Sequence, residues 1–90
     1  MTVGSRQSVP AVSTVIQKGT FRLLYLEVVN DSRDSVTFAA YDANGACIIP
    51  SQSIMTGGIL TYRCDPGAPV SGGMSWVASA PGLVGWYMMA

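Results

Sequence analysis

Residues 21–45 read FRLLYLEVVNDSRDSVTFAAYDANG, and this stretch decides the fold. Side chains alternate in type along its two apolar runs, 21–30 and 35–42, and turn-forming residues follow each run. Alternation with a period of two is typical of β-strands, whereas an amphipathic helix repeats about every 3.6 residues. We therefore predict that the two runs form a β-hairpin.

The same pattern returns along the rest of the chain, where Gly, Pro, Asp and Asn mark the turns between short alternating runs. The Asn44-Gly45 pair suits a tight hairpin turn, and residues 65–73 are so rich in Pro and Gly that we predict a long loop there. Further strands are predicted at 11–17, 46–49, 59–64, 74–79 and 83–89. About seven strands and no helical period predict an all-β fold, a small antiparallel β-sandwich or jelly-roll-like barrel.

We divide the chain into an N-terminal arm, residues 1–19, which can include a first strand, and a β-sandwich domain, residues 20–90. Every second side chain of a strand faces the same side of its sheet, and we assign the more apolar set of each strand to the inward face. The predicted core is Leu24, Leu26, Val28, Val36, Phe38, Ala40, Leu60, Tyr62, Met74, Trp76, Val84, Trp86 and Met88. The first ten residues are small and polar, and we expect them to build no part of this core.

The composition suggests a protein that is covered by neighbours. Of 90 residues only 11% are charged and 49% are hydrophobic, whereas soluble domains carry roughly 25% charged residues. A small monomer with so few charges exposes apolar surface, so we expect homo-oligomers or a larger assembly. The outward apolar positions are the candidate contacts: Leu23, Tyr25, Tyr41, Val77, Tyr87 and Met89.

Charge and residue types exclude several other functions. Five basic and five acidic residues give no net charge, and the basic residues are scattered, so we expect no nucleic-acid partner. The uncharged segment 66–90 is interrupted by Gly and Pro, so no membrane-spanning helix is expected. The N-terminus lacks the apolar core of a signal peptide, which predicts folding in a cytoplasm.

The chain contains no His, and this absence bears on catalysis and metal binding. A Ser or Cys nucleophile would lack its usual base and a zinc site would lack ligands, so we predict neither an enzyme nor a metal or cofactor protein. Cys47 and Cys64 could form one disulfide. Two buried free thiols are the expected state in a reducing compartment, although the residues do not decide between the two.

The order of several segments resembles the small β-sandwich virion proteins of tailed bacteriophages over about residues 20–90. The resemblance is carried by turn spacing and strand alternation rather than by reactive residues. Its segments are LEVVN at 26–30, SVT at 35–37 leading to Tyr41-Asp42, the Gly57-Gly58 turn before LTY at 60–62, GMSWVA at 73–78 and VGWY at 84–87.

This resemblance implies a structural protein of the virion that is made in the host cytoplasm. Modules of this kind decorate and cement capsids, often as trimers, by contacting the major capsid protein or another virion protein. The alternative it implies is a receptor- or glycan-binding module of a tail fibre or tail tip. In that case Tyr41 and Tyr87 would be the exposed stacking groups, because alternation places both tryptophans in the core.

Overall fold

The computed structural model describes residues 2–90, and the side chains of all of these except residues 2 and 64–66. Within this part the chain forms strands and turns and no helix, so it has no helix long and apolar enough to cross a membrane. The strands in chain order are β1 (Thr2–Val3), β2 (Gln7–Val9), β3 (Thr14–Lys18), β4 (Phe21–Asn30), β5 (Val36–Asp42), β6 (Cys47–Ile54), β7 (Ile59–Val70), β8 (Gly73–Ala78) and β9 (Leu83–Met89).

The strands form two antiparallel sheets that enclose one core. The five-stranded sheet has the order β1-β9-β4-β7, with β2 also paired to β9, and the four-stranded sheet has the order β3-β8-β5-β6. From β2 to β9 the chain changes sheet at every connection except the one between β5 and β6. This alternating connectivity is that of a jelly roll. The prediction of a small antiparallel, jelly-roll-like sandwich is therefore confirmed.

The predicted hairpin between the first two apolar runs is wrong, because β4 and β5 lie in different sheets. The turn between them is held by the buried side chain of Asn30, whose Nδ2 donates to the carbonyl groups of Asp34 and Ile54. These bonds direct the chain across the core instead of back along β4. The second predicted turn, which begins at Asp42, does close a hairpin between β5 and β6, and Asp42 Oδ1 accepts from two backbone N–H groups there.

The first residues of the chain belong to the sandwich. β1 and β2 both pair with β9, and Val9 is buried in the core. The Gly4 N–H donates to the Tyr87 carbonyl at 2.8 Å, and a Cβ at Gly4 would lie only 2.9 Å from the Tyr87 ring. The expectation that residues 1–10 build no core is therefore wrong. Backbone pairing along β9 holds this polar segment, and the hydrophobic pattern does not reveal such pairing.

Two strands continue through residues that were expected to end them. β6 runs past Pro50, and β7 runs through the Pro- and Gly-rich segment as far as Val70. Both are outermost strands of their sheets, where a proline can face away from the ladder and cost no strand-to-strand bond. The register of β4 with β7 shifts between residues 63 and 68 of β7, so the breaker cluster interrupts the pairing without ending the strand.

Most of the predicted core is confirmed. Leu60 and Tyr62 are partly buried and pack against the core, while the fully buried members of the predicted set are Leu26, Val28, Val36, Phe38, Ala40, Met74 and Trp76. Four predicted core residues instead lie half-buried on the outer side of the five-stranded sheet, and these are Leu24, Val84, Trp86 and Met88. The errors fall on two strands, β4 and β9, and each has a local cause.

In β4 the cause is a β-bulge at Leu24. The register of β4 shifts between Leu23 and Tyr25 against both of its neighbours, β7 and β9. The extra residue reverses the alternation, so Leu23 faces the core on one side of the bulge and Leu26 faces it on the other. Leu24 and Tyr25 are both left on the outer side of the sheet.

In β9 the inward set is Leu83, Gly85 and Tyr87, which is the opposite of the predicted phase. A Cβ at Gly85 would lie 3.1 Å from Cζ3 of Trp76 and 3.1 Å from the Glu27 carbonyl oxygen. Position 85 faces inward, and a glycine fits there because the Trp76 indole occupies the space that a side chain would need. The apolar residues at 84, 86 and 88 consequently face outward.

The two cysteines were expected to be buried thiols. Cys47 is a free thiol, but it is exposed at the start of β6, the edge strand of the four-stranded sheet, so that expectation is wrong for this residue. The side chain of Cys64 lies outside the described residues.

Candidate functional site

The outer side of the five-stranded sheet carries an aromatic depression, which we call the β4–β9 groove. It has a volume of about 400 Å³ and is lined by Leu24, Tyr25, Arg63, Trp86 and Met88. Three adjacent strands build it, because β4 lies between β9 and β7 in the sheet. The groove therefore rests on three paired strands and not on a loop.

Strand register positions these side chains. Tyr25 pairs with Met88 on β9 and with Arg63 on β7, so the three stand in one row across the sheet. Trp86 pairs with Glu27 in the next row. The bulge in β4 and the inward position of Gly85 are the two local features that turn this set outward.

The aromatic rings of the groove are in contact. The ring centroids of Tyr25 and Trp86 are 5.0 Å apart with an interplanar angle of 37°. The Arg63 guanidinium carbon lies 5.6 Å from the centroid of the Tyr25 ring, a distance at which the cation is attracted to the π face. A positive charge and two aromatic faces therefore meet at one place on the sheet.

The polar groups beside the groove form a chain. The Tyr25 hydroxyl donates to Glu27 Oε2 at 2.8 Å, and Glu27 Oε1 lies 3.8 Å from Nη2 of Arg6. The hydrogen bond to Glu27 raises the pKa of the Tyr25 phenol above its ordinary value, and desolvation and the negative charge of Glu27 act in the same direction. Tyr25 is thus held as a neutral donor, and Glu27 keeps lone pairs for another partner.

The outer side of β5, β6 and β8 in the four-stranded sheet has a different character, and we call it the neutral face; the fourth strand, β3, ends with the exposed Lys18 and is not part of this face. β6 and β8 contain no charged residue, and β5 contains none before Asp42. Tyr41 and Val77 stand on this face beside Ala39, which is itself buried between them. The face has an open depression of about 180 Å³, and the side chains that line it are uncharged.

The six predicted contact residues do not form one surface. Tyr25 lies in the β4–β9 groove, whereas Tyr41 and Val77 lie on the neutral face of the opposite sheet. Met89 is partly buried and packs against the core. Leu23 and Tyr87 are buried, so the prediction that they face outward is wrong, because the β4 bulge and the Gly85 position reverse the phase of their strands.

Tyr87 is a core residue with a polar anchor. Its ring meets the edge of Trp76 at a centroid distance of 6.3 Å, and its hydroxyl lies 3.1 Å from the Ile16 carbonyl oxygen and 2.9 Å from Gln17 Oε1. Burial raises the pKa of this phenol. Tyr87 therefore cannot serve as an exposed stacking group, and Tyr41 is left as the other tyrosine expected to do so.

Sequence reasoning missed four lining residues of the groove, namely Leu24, Arg63, Trp86 and Met88. One signal was available. A glycine inside a strand often marks a close approach of another group, and Gly85 read in that way places Val84, Trp86 and Met88 on the outside. The bulge at Leu24 has no comparable mark, because no Gly, Pro, Asp or Asn interrupts residues 21–29.

The groove offers stacking and hydrogen bonding rather than reactive groups. The described residues contain no cluster of three or more His, Cys, Asp or Glu side chains that could hold a metal ion. An aromatic pair, a guanidinium and a carboxylate at the edge of an open depression are the components of a binding surface. Comparison with models of protein families, with curated proteins and with solved structures found no match to this chain.

Proposed function

We propose that this chain is a non-enzymatic structural protein of a bacteriophage virion, a capsid decoration protein that self-associates through its neutral face. The observation that supports it is the neutral face itself, which spans β5, β6 and β8 without a charged side chain before Asp42. A solvated sheet face normally carries charges, and a face without them is suited to burial against another protein. The virion assignment rests on the resemblance of the strand and turn pattern.

The chemistry of the neutral face suits contact with another copy. Burying it desolvates no charge, so no ion pair is needed in the interface. Ala39 and the serines nearby are small and allow a second backbone to approach, while Tyr41 and Val77 supply apolar area. Binding at many equivalent sites on a symmetric shell would also stabilise the fold by mass action. We propose a trimer as the free form.

The self-association test adds one charge to each sheet in turn. Val77→Lys introduces a charge on the neutral face, opposite Ala39 of β5, and Ile59→Lys introduces the same charge on the outer side of the other sheet, where Ile59 is 61% exposed. In sedimentation velocity at micromolar concentration we expect the parent chain and I59K to be oligomers and V77K to be a monomer. A monomeric parent, or oligomers that persist in V77K, would contradict the proposal.

The virion assignment has its own test. Gradient-purified particles of a phage that encodes the chain should contain it in fixed ratio to the major capsid protein, and imaging should place it over capsomer junctions. Density at the tail tip alone would support the receptor-binding alternative instead. Particles that lack the chain would exclude both roles.

One observation favours a receptor- or glycan-binding role, and it does not concern Tyr41 and Tyr87, the stacking groups expected from the sequence. With Tyr87 buried, the two aromatic rings that lie in contact on an outer sheet surface are those of Tyr25 and Trp86, both half-buried in the β4–β9 groove.

A further inference from the structure

We propose that the β4–β9 groove binds a pyranose sugar that bears a carboxylate, with the sugar ring stacked on Trp86 and the carboxylate paired with Arg63. The groove lies on the sheet opposite the neutral face, so this inference stands independently of the proposed function. It rests on three features of the groove: its aromatic floor, the Arg63 guanidinium and its size.

The aromatic floor is the first feature. Trp86 and Met88 sit half-buried on the open side of the sheet, although the inner side of β9 has Tyr87 and Leu83 fully in the core. The ring centroids of Trp86 and Tyr25 are 5.0 Å apart, and this contact restricts the orientation of the indole. The C–H face of a pyranose is apolar and flat, so an indole held in one orientation at the surface is suited to it at low cost in entropy.

The Arg63 guanidinium is the second feature. Arg6 lies beside Glu27, and Nη1 of Arg22 lies 3.5 Å from the Gly67 carbonyl oxygen. Arg63 contacts the Tyr25 ring, and no carboxylate among the described side chains lies within 4.0 Å of its guanidinium nitrogens. A guanidinium can hold a carboxylate through two parallel hydrogen bonds, which favours an acidic sugar over a neutral one.

Neighbouring polar groups complete the site. Glu27 accepts from the Tyr25 hydroxyl and retains lone pairs that a sugar hydroxyl can reach from the Trp86 side, since Glu27 and Trp86 are register partners. The volume of about 400 Å³ lies within the range of roughly 300–1,000 Å³ that is usual for small-molecule sites. Charged groups around a short aromatic floor suit a small polar ligand better than a broad protein surface, whose centre is depleted of charge.

The two tryptophans make binding measurable. Trp76 is 0% exposed, whereas Trp86 is partly exposed, so the fluorescence that acrylamide quenches comes from Trp86. Methyl glucuronide at millimolar concentration should protect this emission, and methyl glucoside, which has the same ring without the carboxylate, should bind about tenfold more weakly. Both titrations use the full chain, and amide chemical shifts in NMR provide a second readout.

Two variants test the assignment of roles. Arg63→Gln should remove the preference for the glucuronide while binding of the glucoside is kept, and Trp86→Leu, followed by NMR, should lose both sugars. Val12→Thr is the control: Val12 is 69% exposed, lies outside the strands and lines neither the groove nor the neutral face, so this variant should bind both sugars as the parent does. Because Arg63 is exposed, R63Q is expected to fold even if W86L does not.

The proposal is overturned if neither sugar perturbs Trp86 or the groove amides, or if R63Q keeps the full preference for the glucuronide. It is also overturned if W86L turns an oligomeric parent into a monomer while V77K stays oligomeric, because the groove would then be a subunit interface. A failure of sugar binding with V77K monomeric would leave the structural role supported and remove only the sugar site.

Discussion

At the scale of single residues, the buried amide of Asn30 holds the turn at which the chain crosses from one sheet to the other. Its side chain is 1% exposed, and every polar atom of the amide is used. Nδ2 donates to the carbonyl groups of Asp34 at 2.8 Å and Ile54 at 2.7 Å, while Oδ1 accepts from the backbone N–H of Ser32 at 2.9 Å and from its hydroxyl at 2.7 Å. The amide thus joins the end of β4 to the end of β6 in the other sheet.

Replacement of Asn30 by Asp should destabilise the protein severely. A carboxylate has nearly the same shape but cannot donate, so two carbonyl oxygens would face a buried negative charge. We expect the free energy of unfolding, measured by urea denaturation, to fall by about 3 kcal/mol or more. Asn44→Asp, the same change in the exposed β5–β6 turn, should alter it by less than about 0.5 kcal/mol. Equal losses in the two variants would show that the buried amide is not a special position.

At the scale of elements, the sequence predicts which segments are strands better than which side of each strand is inward. The sequence predicts the inward side of β5 and β8 correctly because one alternating set is apolar throughout β8 and as far as Ala40 in β5, whereas the other set contains Thr37 in β5 and Ser75 in β8. In β9 both alternating sets contain large apolar residues, so the pattern gives the period and leaves the phase undecided. The position of Trp76 against Gly85 settles the phase, and that contact depends on a strand in the other sheet.

The groove was unpredictable for the same reason. Leu23 and Tyr25 were expected on the outer side of β4, but the bulge turns Leu23 into the core and places Leu24 beside Tyr25. No residue type marks this bulge. Arg63 was expected to point away from Leu60 and Tyr62 on its own strand, but the sequence does not show that β7 pairs with β4 in a register that places Arg63 opposite Tyr25.

The β4 bulge yields a prediction about deletions. Removing Leu24 joins Leu23 directly to Tyr25. These two residues pair with the consecutive residues Met89 and Met88, so the β4–β9 ladder becomes regular and the inward residues keep their side. We expect this deletion to cost less than about 2 kcal/mol in thermal or urea unfolding and to leave the circular dichroism spectrum of a β protein.

Deletion of Val29 from the same strand is the matched control. It changes the side on which Asn30 lies, so the buried amide and the turn that follows would be displaced. This deletion should abolish cooperative unfolding. If both deletions unfold the protein alike, the bulge is a required feature rather than a tolerated one.

At the scale of the whole molecule, the jelly roll is assembled from distant parts of the chain. β4 is flanked by β7 and β9, and the N-terminal β1 and β2 complete the sheet beside the C-terminal β9. Each strand carries a similar alternating pattern, so local sequence does not specify the partner. The sandwich class could be predicted because it follows from strand length and turns, whereas the strand order depends on contacts such as Val9 in the core.

Removal of residues 1–9 tests this closure. Without them β9 becomes an open edge, the core loses Val9 and the Tyr87 ring loses the cover of Gly4, so we expect the free energy of unfolding to fall by about 3 kcal/mol. A synthetic peptide of residues 2–10 should restore the parent urea midpoint, because antiparallel pairing with β9 needs no covalent link. The peptide with Val9→Asp should not. If the shortened chain unfolds at the parent urea midpoint without peptide, residues 1–9 add nothing to the stability of the sandwich and the prediction is wrong.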